Sequence, residues 1–202
     1  MKDPRLPLFP LQAVLLPEEP LPLHIFEERY KLMIGECMEG NRPFGVVLAE
    51  ADGIRKIGCT ARVARLLEKF PDGRMNILTC GEMRFEILRL FENRPYFTGE
   101  VQPLKDLPEE APPLELARRV WEGLEEKERQ TLPAGELLAD PARLSFLAAA
   151  IVRLPLPLKQ AMLESLSCRE RLERLAGFLA ERGEKEQLVA LRRQVSSRNG
   201  KP

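Results

Sequence analysis

The sequence predicts an α+β protein: a curled antiparallel sheet or small barrel carrying one amphipathic helix, followed by a C-terminal helical bundle. Three observations carry this. Apolar residues alternate with a period of two between Phe44 and Leu104. They recur at spacings of three, four and seven in His24 to Glu39 and again beyond Leu114. A proline-rich stretch, Asp106 to Pro113, separates the two regimes. The expected organisation is therefore a β subdomain over 1–105, a linker over 106–113 and a helical subdomain over 114–202.

Six of the 18 prolines fall in the first 22 residues. Each removes a backbone donor and fixes φ, so this segment reads as extended, with short edge or bulged strands at most. An amphipathic helix follows from His24 to Glu39, its stripe made of Phe26, Tyr30, Met33, Ile34, Cys37 and Met38, with Gly40 as the stop. Then come β runs at Phe44–Ala49, Ile57–Phe70, Arg74–Cys80, Met83–Phe91 and Tyr96–Leu104. Asp72-Gly73 after Phe70 marks a hairpin, because glycine takes the positive φ that such turns need. No segment long enough for a crossover helix separates these runs, which disfavours a doubly wound nucleotide fold.

Beyond the linker, Leu114, Ala117, Val120, Trp121 and Leu124 form one helical stripe. Asp140-Pro141 is an N-cap with a first-turn proline, opening a helix through Leu144, Leu147, Ala148 and Ile151. Leu154-Pro155-Leu156-Pro157 forces a break, and Ser167-x-x-Glu170 heads a long stripe of Leu172, Leu175, Phe178, Leu179, Leu188, Leu191 and Val195. Ser196 to Pro202 reads as a frayed tail.

The chain has 202 residues, with 31 basic and 31 acidic. Neutrality holds within each half, since 15 of each charge lie at or before Lys105. An unbalanced cationic coat, the electrostatic footprint of a duplex binder, is absent. The four cysteines, Cys37, Cys59, Cys80 and Cys168, include no CxxC pair and have a lone His24 for company. They read as core thiols of a reducing compartment, with neither a zinc site nor a disulfide framework. Leu6 to Leu16 is apolar, but Pro7 and Pro10 within it and Pro17 after it break a signal helix, so a cytoplasmic location is expected, without membrane contact.

Motifs for chemistry are scarce. There is no GxxxxGK[ST], GxGxxG, HExxH or GxSxG. A histidine-activated nucleophile would need His24 beside a distant thiol, whereas a ring at a helix start ordinarily caps backbone or packs. The acidic pairs Glu18-Glu19, Glu27-Glu28 and Glu109-Glu110 read as solvated surface, and Ser165 and Ser167 near Lys159 read as a helix end. No catalytic residue, metal ligand or cofactor is assigned.

Leu6-Pro7-Leu8-Phe9-Pro10-Leu11, then Leu21-Pro22-Leu23-His24-Ile25-Phe26-Glu27-Glu28-Arg29-Tyr30, then Phe44-Gly45-Val46-Val47-Leu48 resemble the amino-terminal substrate-binding domain of the Lon protease family. Gly58-Cys59-Thr60-Ala61, Asp72-Gly73-Arg74, Gly81-Glu82-Met83-Arg84-Phe85, Lys159 to Glu164 and Glu170 to Leu175 continue the resemblance over nearly the whole chain. One departure is Leu16-Pro17-Glu18, where the family often has an aromatic-Pro-Gly turn. The resemblance implies a PUA-like fold, a six-stranded pseudo-barrel with one helix and then a helical bundle. It further implies a non-catalytic protein-binding module for unfolded or damaged polypeptides or a protein partner. Full-length Lon proteases continue into an ATPase module with a phosphate loop and a protease module with a Ser–Lys dyad, so this chain looks like a stand-alone domain. Whether it works with a Lon ATPase, and whether it self-associates, stay open.

Phe26, Glu28, Arg29 and Tyr30 match the family's helix motif and are the candidate protein-binding residues, with the adjoining Pro-rich segment. The PUA-like relationship supplies an alternative, nucleic-acid or nucleotide binding by a stripe of Arg62, Arg65, Arg74, Arg84 and Arg89. Its counter-reading pairs each arginine with a nearby Glu68, Glu82 or Glu86 across the sheet.

Overall fold

A computed structural model describes residues 5–108 and 114–198. Its chain divides into two compact units, one of residues 1–107 with 153–166 and one of 108–152 with 167–202.

The first unit contains β1 (Leu6–Leu11), β2 (Pro20–Ile25), α1 (Glu28–Glu39), β3 (Phe44–Glu50), β4 (Gly53–Ile54), β5 (Ile57–Lys69), β6 (Met75–Phe91), β7 (Thr98–Pro103) and α6 (Leu156–Glu164). The sheet has seven strands in the order β1-β7-β6-β5-β3-β4, with β2 on β6. Because β1 also pairs with β3, the path β1-β7-β6-β5-β3 closes on itself. The pseudo-barrel is thus present with one strand more than the resemblance implies. It is not wholly antiparallel, because Leu8–Leu11 run parallel to Gly45–Leu48. The first proline-rich strand is accordingly no edge: Pro7 and Pro10 sit in a strand paired on both sides. That is possible because neighbouring strands take up only alternate backbone groups of β1 on each side.

β6 is the backbone of the barrel. The sequence suggests two strands broken at Gly81-Glu82, yet one 17-residue strand runs through them. Its first half meets β2 and β5, and its second half meets β7. A register shift opposite, between Cys59 and Ala61, absorbs the bend. The predicted hairpin stands: Gly73 has φ 83° and the Phe70 N–H donates to the Arg74 carbonyl over 2.9 Å.

The first helix is shorter than its periodicity suggests. His24 and Ile25 belong to β2, and α1 begins at Glu28. Phe26 therefore leaves the buried stripe and stands 59% exposed, while Tyr30, Met33, Ile34 and Cys37 remain buried. Gly40 closes the helix in a right-handed conformation, and Asn41, at φ 46°, makes the left-handed turn. Glu18 likewise has φ 61° where the family often carries glycine, so the turn survives at some strain.

The second unit holds α2 (Leu114–Gly123), α3 (Glu126–Arg129), α4 (Ala134–Ala139), α5 (Pro141–Ile151) and α7 (Cys168–Arg198). Leu116, Ala117, Val120, Leu144, Ala148, Leu172, Leu175 and Leu179 form its core. Leu114 faces out instead of joining the stripe, and in α7 Leu172, Leu175 and Leu179 are buried while Leu188 is exposed. Residues 196–198 continue α7 rather than fraying; 199–202 and the linker residues 109–113 lie outside the described residues. The segment 153–166, expected within the bundle, groups with the barrel unit instead. Gln160 Nε2 donates to the Ile57 carbonyl and Lys159 pairs with Glu19 at 2.5 Å, tying α6 to the strands. Asp106 of the expected linker also belongs to this unit, bonded to Arg84.

The Asp140 carboxylate accepts from the Arg143 N–H at 3.0 Å, as its N-cap position predicts. Asp140→Ala should cost about 1 kcal/mol, read as a lower urea midpoint with unchanged slope; no shift in midpoint would contradict the cap.

Candidate functional site

The β1 and β2 ends, the start of α1, Ala49 near the end of β3 and Phe97 just before β7 enclose a groove of about 330 Å³ in the first unit. Phe9, Pro10, Leu11, Leu23, Ile25, Phe26, Tyr30, Ala49 and Phe97 give it an apolar wall, and its polar members are His24, Glu27 and Arg29. The Phe9 and Tyr30 rings lie 4.2 Å apart between centroids, and Phe44 backs Phe9 at 6.2 Å. These contacts make the floor rigid. The Arg29 guanidinium lies 4.6 Å above the Tyr30 ring and is held there by the Glu27 carboxylate at 2.8 Å. Burial pushes the Tyr30 phenol above its usual range, so it stays neutral.

Three of the four candidate residues, Phe26, Arg29 and Tyr30, meet in this groove. Glu28 does not: it is among the most exposed side chains here, at 89%, and pairs with Lys31, which also donates to the Asp72 carbonyl. One helical position separates it from the groove-facing side. Pro20 and Pro22 in β2 deprive that edge strand of donors, so an added strand could pair there only incompletely. Phe9, Leu11 and Leu23 were anticipated only as part of the Pro-rich segment, and Phe97 not at all. No local pattern marks Phe97, because it joins the others only when β7 closes onto β1.

The five-arginine stripe does not form. Arg84 is 5% exposed and points inward to the Leu163 and Ser165 carbonyls and to Asp106. Arg62 pairs with Glu82 and donates to the Asn41 carbonyl. Arg74 pairs with Asp72, Arg89 lies over the Phe91 ring, and Arg65 is exposed. Glu68 and Glu86 hold Asn76 and Gln102 rather than arginines. A second, larger depression of about 560 Å³ includes Arg5, Arg42 and Glu100, but Arg42 donates to the Arg5 carbonyl and Arg5 lies over Phe91.

Nucleophile chemistry finds no support in the thiols. Burial pushes Cys37 up to about 11 and Cys59 up to about 12, and Cys80 is raised as well, so little thiolate exists near neutrality. His24 Nδ1 is bonded to Asn76 Oδ1 at 2.6 Å. Of the acidic pairs read as solvated, Glu19 is in fact a partly buried structural residue, accepting from the Leu16 N–H and Lys159; Glu109 and Glu110 lie outside the described residues. Among the described residues, no group of three or more His, Cys, Asp or Glu could hold a metal ion, and no helix is long and apolar enough to cross a membrane.

The chain matches the family model described as the ATP-dependent protease La (LON) substrate-binding domain over residues 5–181. It is 31% identical over 210 residues to a Lon protease of Desulforamulus reducens, covering 96% of this chain and 25% of that protein. A Lon protease of Dictyoglomus thermophilum is 26% identical over 190 residues, covering 86% and 24% respectively. The chain thus spans about a quarter of the length of the curated relatives it matches. Among solved structures, a Lon N-terminal domain protein from Xanthomonas campestris superposes with a TM-score of 0.69 at 25% identity, covering 87% of this chain and 98% of that one. The N-terminal domain of a Mycobacterium avium complex Lon protease, at 18% identity and a TM-score of 0.63 over 87% of this chain and 98% of that one, shares the fold. With a match extending from β1 into α7, the chain belongs to the Lon protease substrate-binding domain family.

Proposed function

We propose that this chain is a non-catalytic module that binds unfolded polypeptide segments through exposed apolar side chains, using the groove at Phe26. The observation that carries this is a large aromatic side chain, 59% exposed, at the mouth of a preformed apolar groove whose charged members neutralise each other. An unfolded chain offers what such a surface lacks, apolar side chains seeking cover from water. The mutual pairing of Glu27 and Arg29 leaves little net charge to select a sequence, which suits a tolerant binder. The four free cysteines support work in a reducing compartment, the cytoplasm in our reading.

Titrating a reduced, unfolded model protein against the purified chain tests this. Binding is expected, and Phe26→Ala should weaken it roughly tenfold, since covering an aromatic side chain contributes about 1.5–3 kcal/mol. The thermal midpoint should hardly move, because Phe26 contributes little to the core. Absence of binding up to high micromolar concentration would overturn the reading.

A further inference from the structure

We propose that His24 is the polar anchor of this groove: its Nε2 accepts a hydrogen bond from a backbone N–H of the bound segment. Protonation of the ring therefore weakens capture. The inference rests on the groove reading above and adds the polar chemistry that the apolar wall cannot supply.

His24 occupies a singular place. With Leu23 it lines both the Phe26 groove and a neighbouring depression formed with Pro22, Leu67, Glu68, Asn76 and Ile77. The imidazole stacks on Phe26, with centroids 5.8 Å apart and planes 21° off parallel, and meets the edge of Phe70 at 6.3 Å. A surface ring clamped between two aromatics and bonded at one nitrogen presents its remaining nitrogen in a narrow range of directions.

The protonation pattern of that nitrogen follows from its neighbours. Asn76 Nδ2 donates to Glu68 Oε2 at 3.0 Å, and a carboxylate accepts only. The amide orientation is therefore fixed, with Oδ1 turned to His24 at 2.6 Å. Since Oδ1 cannot donate, Nδ1 carries the hydrogen. In the neutral ring Nε2 then bears a lone pair, and it has no partner among the described residues. The other polar side chains of the groove, Glu27 and Arg29, are bound to each other. An extended segment entering the groove must leave the water that solvates its N–H groups, and Nε2 offers one replacement acceptor. β2 offers few alternatives in strand form, given Pro20 and Pro22.

On a protonated ring Nε2 is a donor, and a cation stands beside an apolar ligand. Charged groups around the ring include Glu68 on β5, Glu27 and Arg29 at the α1 start, and Arg74, which lies over Phe70 and is paired with Asp72.

Because His24 is the only histidine, its ring nitrogens can be observed by ¹⁵N NMR without assignment ambiguity. In its neutral form the ring should show the Nδ1–H tautomer, and Asn76→Ala should abolish that preference. An Nε2–H tautomer in the wild-type chain would overturn the proposal before any ligand is added. The binding arm uses a capped, fluorescent peptide of Phe, Leu and Gly with no titratable group. The wild type should bind it about three- to tenfold more tightly at a pH where the ¹⁵N shifts show the ring neutral than at one where they show it protonated, and His24→Gln should bind equally at both. Wild-type binding that ignores pH, or a His24→Gln variant that keeps the full dependence, would overturn the role of His24. If the peptide is not bound at either pH, or binds a Phe26→Ala variant as well as the wild type, the groove reading itself falls and this assignment with it.

Discussion

Replacing Arg84 by methionine should lower the unfolding free energy by about 3–5 kcal/mol, the cost of removing one partner from a buried charged cluster. The guanidinium is 5% exposed and donates to the Leu163 carbonyl at 3.0 Å, the Ser165 carbonyl at 2.6 Å and Asp106 Oδ1 at 2.5 Å. Leu163 lies in the last turn of α6 and Ser165 is its C-cap, so their carbonyls are among those a helix end leaves unsatisfied. Arg84 therefore caps a helix from a strand 79 residues earlier in the sequence. Methionine would fill the space but replace none of these three hydrogen bonds. Lysine would keep the charge without the planar fork, so Arg84→Lys should fall between the two. Urea denaturation followed by circular dichroism, with amide exchange across β6 and α6, measures this. A loss below about 1 kcal/mol for Arg84→Met, the range of exposed ion pairs, would show that the cluster is not structural.

Gly81→Ala should be about as damaging, at about 3 kcal/mol or more. A Cβ on Gly81 would overlap the Leu16 carbonyl oxygen and press on Leu15. The neighbouring backbone cannot yield cheaply, because the Glu18 N–H donates to the Gly81 carbonyl and the Gly81 N–H to the Glu19 carbonyl, both at 2.9 Å. Leu15 and Leu16 are themselves nearly inaccessible. By contrast, Gly135→Ala should leave stability unchanged or improve it, since nothing lies within 4 Å of a Cβ there and the residue is in helix α4. Comparable urea midpoints for Gly81→Ala and Gly135→Ala would contradict the close approach.

Both predictions rest on features that sequence reading reached only in part. Gly81 and Arg84 were visible within a motif, but the motif looked like a break between strands followed by a candidate anion contact. Pattern reading sees polarity, and an arginine in a strand is polar wherever it points. Burial of Arg84 required α6 to arrive with the Leu163 and Ser165 carbonyls turned to it. The helix at Phe26 failed differently: the stripe from Tyr30 to Cys37 has helical period and is helical, while His24 and Ile25, expected in the same helix, pair with Asn76 and Met75. Strand pairing through long-range backbone bonds overrode the local period.

The candidate site was legible where its residues are neighbours in the chain. Phe26, Arg29 and Tyr30 fall within five positions and share the groove, whereas Glu28 shares only the sequence interval. Phe97 and the Asn76–Glu68 pair that orients His24 lie far away in sequence and enter through β7 and the β5–β6 hairpin.

What the amino-acid order determined by itself is what depends on neighbours within a few residues: the hairpin at Gly73, the caps at Asp140 and Ser167, the breaks at proline, and the family motifs. Tertiary structure alone decided how β1 closes the ring, which unit keeps α6, which arginine turns inward and which wall Phe26 faces. Those outcomes depend on burying groups that meet from distant parts of the chain, and the free energy of that burial has no local signature.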